Sequence, residues 1–407
     1  MKSFENIKSD FPIFERKING KPLTYLDSGA TSQKPNVVLE KMNEIYKVSN
    51  ANVHRGTYAL SAETTLAYEG VRNKCKDFIN AYESDEIIFA KGSTEGFNFL
   101  ANSISKKFME PGDEIVVTEI EHHANIIPWQ MVAQENDLEL NYIKINEDFT
   151  LDLDDLNEKI SSKTKVVSIV GESNLSGMLP EIEEITKIVK EKSNALVIID
   201  GAQLVPHRKI DVQALGIDFL VFSGHKMLGP TGIGIVWGRK ELLDKMDPVY
   251  GGGDMIEEVH YDKATWAPVP HKFEAGTPPY VEAIGLGAAI DYLTDLDMEN
   301  VQKHSDELRD YGKEIFADID KVNVIHSSAE KAGCTFGMYV DNVHATDLSL
   351  MLDTHGVAVR SGHHCVQPFH RKLGIDATIR ATAYVYNDKN DLDVFKSALI
   401  DSIEMLS

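Results

Sequence analysis

The chain has 407 residues, 43% of them hydrophobic and 26% charged, and 64 acidic against 41 basic side chains give it a formal net charge of −23. That length predicts more than one simple domain, and no apolar run approaches the ~20 residues of a membrane helix, so no membrane partner is expected. An acidic surface repels nucleic acid, which is likewise not expected as a partner.

The first residues, Met1-Lys2-Ser3-Phe4-Glu5-Asn6, meet charge early and lack an apolar leader pattern, so a cytoplasmic location is expected. Three cysteines, Cys75, Cys334 and Cys365, form no CxxC pair, and reduced thiols are expected. From about Glu86 to Gly238, β-rich runs alternate with helical patterns, as successive βαβ units do. Predicted strands are Glu86–Ala90, Glu114–Thr118, Lys165–Val170, Ala195–Asp200, Phe219–Ser223 and Gly232–Trp237. They are nearly all apolar, as parallel strands covered on both faces should be. Pro180 opens a helix with Ile182, Ile185, Ile188 and Val189 on one face. After about Asp295 longer charged helices take over, and the last carries Leu392, Phe395, Leu399, Ile403 and Leu406 at helical spacing. The fold class is therefore α/β, with a mostly parallel central sheet in a large domain (22–294) and a smaller α/β domain (1–21 and 295–407).

The chemistry concentrates where predicted strands end. Lys226, in Ser223-Gly224-His225-Lys226 after the strand Phe219–Ser223, suits a Schiff-base lysine whose amine is partly desolvated, although alone it would read as a solvated loop residue. Asp200, closing Leu196-Val197-Ile198-Ile199, can hold a pyridine nitrogen protonated, and Gln203 one turn on can reach a ring hydroxyl. Gly92-Ser93-Thr94 follows a strand and opens a helix, where backbone N–H groups and hydroxyls suit a phosphate, with Ser223 and His225 opposite. His122, in Glu121-His122-His123, can stack on a flat ring and move protons near neutral pH. The neighbouring histidines lack metal-ligand spacing, so no metal is expected. In the smaller domain Cys365 sits in Arg360-Ser361-Gly362-His363-His364-Cys365, which glycine and proline mark as a loop and whose basic residues favour a thiolate. Arg380 can grip a carboxylate in bidentate fashion. Cys75 and Cys334 read as small core residues.

Together these segments, with Tyr25-Leu26-Asp27-Ser28-Gly29-Ala30 and Asn52-Val53-His54-Arg55-Gly56, resemble the cysteine desulfurases of aminotransferase class V over essentially the whole chain. These are pyridoxal-phosphate (PLP) enzymes of fold-type I, and the short Arg360-x-Gly362-His363-His364-Cys365 segment is similar to their SufS subgroup. The resemblance implies a homodimer that converts L-cysteine to L-alanine and passes sulfur, as a persulfide on Cys365, to a SufU- or SufE-like acceptor protein for iron–sulfur cluster assembly. It assigns Lys226 to the Schiff base, Asp200 to the pyridine nitrogen, Gln203 and Asn174 to the ring hydroxyl side, and His122 to stacking. Ser93, Thr94, Ser223, His225 and Thr277 would hold phosphate, Thr277 in the partner subunit's site, while Arg380, Asn174, His54 and Arg360 would bind substrate. Selenocysteine lyase or cysteine-sulfinate desulfinase activity, and a catalytically silent scaffold, are the alternatives. Gly171-Glu172 before Ser173-Asn174, and Thr346 where some relatives carry histidine, depart from the pattern.

Overall fold

The structure, a computed structural model, describes residues 4–406. Met1, Lys2 and Ser3, where the reading for a leader begins, and Ser407 lie outside the described residues. The large sheet contains β1 (Ile87–Ala90), β2 (Glu114–Thr118), β3 (Glu139–Ile143), β4 (Thr164–Val170), β5 (Leu196–Asp200), β6 (Phe219–Ser223) and β7 (Gly234–Gly238). Its order is β1-β7-β6-β5-β4-β2-β3. Only β7 runs antiparallel to its neighbours, so the expectation of a mostly parallel sheet holds.

Alternate residues of the central strands feed two separate cores. Val116, Val167, Val197, Ile199, Leu220 and Phe222 face one way, and Ile115, Val117, Val166, Ile198, Phe219 and Val221 the other. This period of two, apolar on both faces, is why the strands read as continuous hydrophobic runs. The strand expected at Gly232–Trp237 starts two residues later, because Gly232 turns at φ +79°. The unexpected β3 is an edge strand, and its Glu139 and Asn141 obscured the pattern.

Three helices matter for the site. Helix α1 (Ala59–Ile79) packs on the later helix Tyr280–Leu296, and α2 (Ser93–Phe108) begins directly after β1. Helix α3 (Ile182–Lys192) buries Ile182, Ile185 and Val189 as expected, with Glu183 and Glu184 in its first turn and Lys190 and Lys192 in its last, matching the helix dipole. Two further helices, α4 (Tyr280–Leu296) and α5 (Met298–Phe316), lead to the second sheet.

That second sheet is antiparallel, with β8 (Val322–Ile325), β9 (Thr335–Val340), β10 (Arg360–Gly362) and β11 (Thr378–Thr382) in the order β8-β9-β11-β10. Phe316 of α5 meets Phe336 and, from α6 (Lys389–Leu406), Phe395, at ring separations of 5.2 and 5.4 Å. This corrects the loop expected for the Arg360 segment: Arg360 to Gly362 pair with β11, placing Arg360 directly opposite Arg380. The irregular backbone begins only at His363.

Candidate active site

The carboxyl edge of the parallel strands, where open α/β sheets bind ligands, opens into a cavity of about 150 Å³. Lys226, on the short turn after β6, lines it together with Asp200 at the tip of β5. Burial pushes the Lys226 amine down to about 8, and the Asp200 carboxylate partly offsets this. Asp200 is 4% exposed and accepts the Ala202 N–H at 3.0 Å. Burial raises its carboxyl, against the opposing pull of that N–H and of Lys226.

Gln203 lines the cavity and is locked by its Nε2, which donates to Gly29 O at 2.7 Å. On the opposite wall Ser93 and Thr94 open α2, whose first N–H groups have no helical partner. The Ser93 N–H and hydroxyl both lie 2.8 Å from Ser223 Oγ, which knots the β1–α2 turn to the end of β6. His225, also on this wall, is pushed down to about 4 by burial and by Lys226 and Lys34.

His122 departs from one expectation. It lines the cavity, but burial, with Lys226 adding to it, pushes the imidazole down to about 3, so it does not titrate near neutrality. Its Nδ1 accepts the Ala124 N–H at 3.0 Å, which leaves the proton of the neutral ring on Nε2. Below it lies a residue the sequence reading passed over. Glu121 is fully buried and accepts from Thr118 Oγ1 (2.6 Å), Asn125 Nδ2 (2.7 Å) and the Val170 N–H (2.7 Å), tying the loop after β2 to the end of β4. Its position three residues past a strand, beside the chosen histidine, was the available signal.

The second sheet supplies the remaining wall. Arg380 is 1% exposed; its Nη1 donates to Asn174 O at 3.1 Å and its Nη2 to Asp27 Oδ1 at 3.2 Å. Arg360 lines the cavity beside it. Arg380 Nε and Asn174 Oδ1 are buried without a hydrogen-bond partner among the described residues, although Asn174 Nδ2 reaches His364 O at 2.7 Å. His364, a cavity residue not singled out from sequence, and Cys365 hold consecutive left-handed backbones at φ 52° and 60°. Such strain in two non-glycine residues persists only where surroundings enforce it. Here the His123 N–H holds Cys365 O at 2.7 Å. Cys365 is half-buried and does not itself line the cavity, but it follows the cavity residue His364 and lies near enough to Lys226 and Arg380 to act electrostatically on both. By contrast Cys75 and Cys334 are buried, their thiols pushed up to about 12 by desolvation.

Two expected site residues stand apart. Thr277 is exposed and lines a separate cavity of about 320 Å³ with Tyr250 and Glu274. His54 is exposed, with Nε2 2.8 Å from Glu69 Oε1 and its ring 5.3 Å from that of His271. Among the described residues, these three are a group whose side-chain donors converge closely enough to ligate one cation.

The main cavity fits PLP on its own terms: an amine held near neutrality, a buried carboxylate facing it, a hydroxyl-lined helix start, and polar atoms lacking partners in the wall. Fold and site thus define an α/β enzyme of PLP fold-type I. Aminotransferase class-V matches residues 24–395, and the chain belongs to that family. A "Probable cysteine desulfurase" of Halalkalibacterium halodurans is 45% identical over 97% of this chain and 96% of its own length. Among solved structures, a cysteine desulfurase from Thermococcus onnurineus NA1 is 36% identical with a TM-score of 0.94, covering 100% of this chain and 99% of its own. The cysteine desulfurase CsdA from Escherichia coli is 34% identical with a TM-score of 0.92, covering 100% of each chain.

Proposed function

We propose that this chain is a PLP-dependent cysteine desulfurase that takes sulfur from L-cysteine onto Cys365 and releases L-alanine. The observation that carries the reading is one cavity shared by Lys226 and Asp200 from the large sheet and Arg380 from the small one, with strained Cys365 next in the chain to its wall residue His364. Bound PLP supplies an electron sink for the substrate's α-carbon. Lys226 would hold the cofactor covalently, and its Nζ moves the substrate's α-proton, a task its lowered basicity suits. Asp200 would keep the pyridine nitrogen protonated, Gln203 would meet the ring hydroxyl, and the neutral His122 would stack on the ring. Ser93, Thr94, Ser223 and His225 would hold the phosphate. Arg380, with Asn174 and Arg360, binds the substrate carboxylate.

Cys365 Sγ, as thiolate, then attacks the substrate sulfur. The new S–S bond forms as the substrate Cβ–S bond breaks, and the electron pair stays with the carbon fragment, which takes up a proton and leaves as alanine. A SufU- or SufE-like acceptor collects the persulfide for iron–sulfur cluster assembly. The protein acts as a cytoplasmic homodimer of two-domain subunits (22–294; 1–21 with 295–407), in which Thr277 completes the partner's phosphate site and His54 is a further substrate-binding residue. Exposure of Thr277 outside the main cavity supports the shared phosphate site.

The test is incubation of PLP-loaded protein with L-cysteine, with and without a thiol acceptor, measuring alanine and sulfide together. Alanine in step with sulfide when thiol is present is expected. Cofactor-loaded protein that releases no alanine would end the reading.

A further inference from the structure

Gly171-Glu172, the departure noted in sequence, lies where β4 runs on toward Asn174. Glu172 is 1% exposed, and neither carboxyl oxygen has a hydrogen-bond partner among the described residues. Arg208 Nε, equally without one, stands 4.0 Å from Oε2. The far side of that guanidinium crosses to the small-sheet side, where Nη2 donates to Asp306 Oδ1 at 2.8 Å and Ala332 O at 2.9 Å. Arg309 Nη1 binds the same two acceptors at 2.7 and 3.0 Å. The carboxyl is also met by Gly333, where an added Cβ would fall 1.9 Å from Glu172 Oε1.

Both neighbours of this carboxyl lead to the substrate-facing groups. Asn174 follows two residues on, and Gly333 precedes β9, whose Gly337 pairs with Arg380. Arg380 Nη1 closes the circuit on Asn174 O at 3.1 Å. A buried carboxyl without hydrogen bonds is costly, and an apolar residue would fill the same joint at lower cost. We propose that Glu172 is a positioning residue for the substrate carboxylate: its side chain, wedged between Arg208 and the bare Cα of Gly333, sets the spacing between Asn174 and Arg380.

Burial pushes the Glu172 carboxyl up to about 8, with Arg208 and Arg309 opposing and Asp306 adding to it. Cys334, beside Gly333, and His326, whose Nε2 lies 3.1 Å from Gly333 O, are the other titratable groups facing the joint. Burial thus favours the neutral acid at this position, for which glutamine is the close mimic.

The inference deepens the desulfurase reading and rests on it. The test measures alanine formation against cysteine concentration at pH 7 for PLP-loaded wild type, Glu172→Ala and Glu172→Gln. Amide exchange across residues 173–178 and 333–337 is measured without substrate. Glu172→Ala should raise KM about tenfold with kcat nearly unchanged, the pattern of lost binding geometry. Glu172→Gln should restore wild-type KM at pH 7 and the slow exchange lost in the alanine variant. An unchanged KM in Glu172→Ala, or a KM raised as far in Glu172→Gln as in Glu172→Ala, overturns the proposal; wild-type KM and exchange in Glu172→Gln decide alone if the alanine variant does not fold. A wild type that forms no alanine instead fails the desulfurase reading, and the exchange comparison then still reads the joint.

Discussion

Cys365 sits in a strained turn, held through its carbonyl, and is half-buried beside the cavity residue His364. Cys365→Ser keeps the backbone and nearly the volume but removes the sulfur nucleophile. The variant should retain bound PLP, seen by its absorbance, and lose protein persulfide and alanine production; persulfide formed at wild-type levels would exclude this thiol. Arg380 makes a harsher demand on geometry. Its two amino groups reach two different acceptors, the Asn174 carbonyl and the Asp27 carboxylate, a planar fork that lysine cannot reproduce. Charge-assisted hydrogen bonds contribute about 1.5–3 kcal/mol, so Arg380→Lys should raise KM for cysteine roughly tenfold or more. A steady-state titration that finds KM unchanged would show that this guanidinium does not bind the substrate.

At the level of elements, the phosphate-side turn depends on how closely β7 approaches it. An added Cβ at Gly234 would lie 2.6 Å from Gly92 Cα and 2.7 Å from Phe222 O, both backbone atoms that cannot step aside. Gly234→Ala should therefore cost about 1–3 kcal/mol, the usual range for overpacking, and displace Ser93 and Thr94. Chemical denaturation should show the lost stability and PLP titration a weaker complex. Gly251→Ala, with nothing within 4 Å, is the neutral control. Equal denaturation midpoints for the two variants would show that the turn has slack. The strands at this edge were legible in sequence because apolar runs end in polar residues there. The strand Arg360–Gly362 was not, because glycine and charge mask an edge strand whose pairing is set by partners from Gly362↔Thr378 to Arg360↔Arg380, well beyond any local pattern.

For the whole molecule, several buried groups titrate in opposing directions. His122 and His207 are pushed down to about 3 and His326 to about 4, each mainly by burial. Their unfolded forms bind protons below the ordinary 6.5, so their stabilising effect is complete above that value and fades as pH falls toward 3. Glu121 and Glu172 are pushed up to about 8 by burial, so their stabilising effect is present below the ordinary 4.5 and is lost as pH rises toward 8. Thermal unfolding of the cofactor-free protein should show a Tm maximum between about pH 4.5 and 6.5. A Tm still rising from pH 6.5 to 8 would contradict the balance.

The sequence by itself determined the α/β architecture and named most of the cavity: Ser93, Thr94, His122, Asn174, Asp200, Gln203, Ser223, His225, Lys226, Arg360 and Arg380 all line it. For Ser93, Thr94, His122, Asp200, Gln203, Ser223, His225 and Lys226 it could do so because strand patterning is local and these residues follow strand ends, whereas Asn174 and Arg360 were assigned by the family resemblance and Arg380 lies in the middle of β11. Only the tertiary structure decided the protonation of His122, the burial of Glu121, the strained backbone of His364 and Cys365, and the joint around Glu172. Those properties arise from desolvation and from contacts between segments far apart in the chain, and no local pattern of residues encodes either.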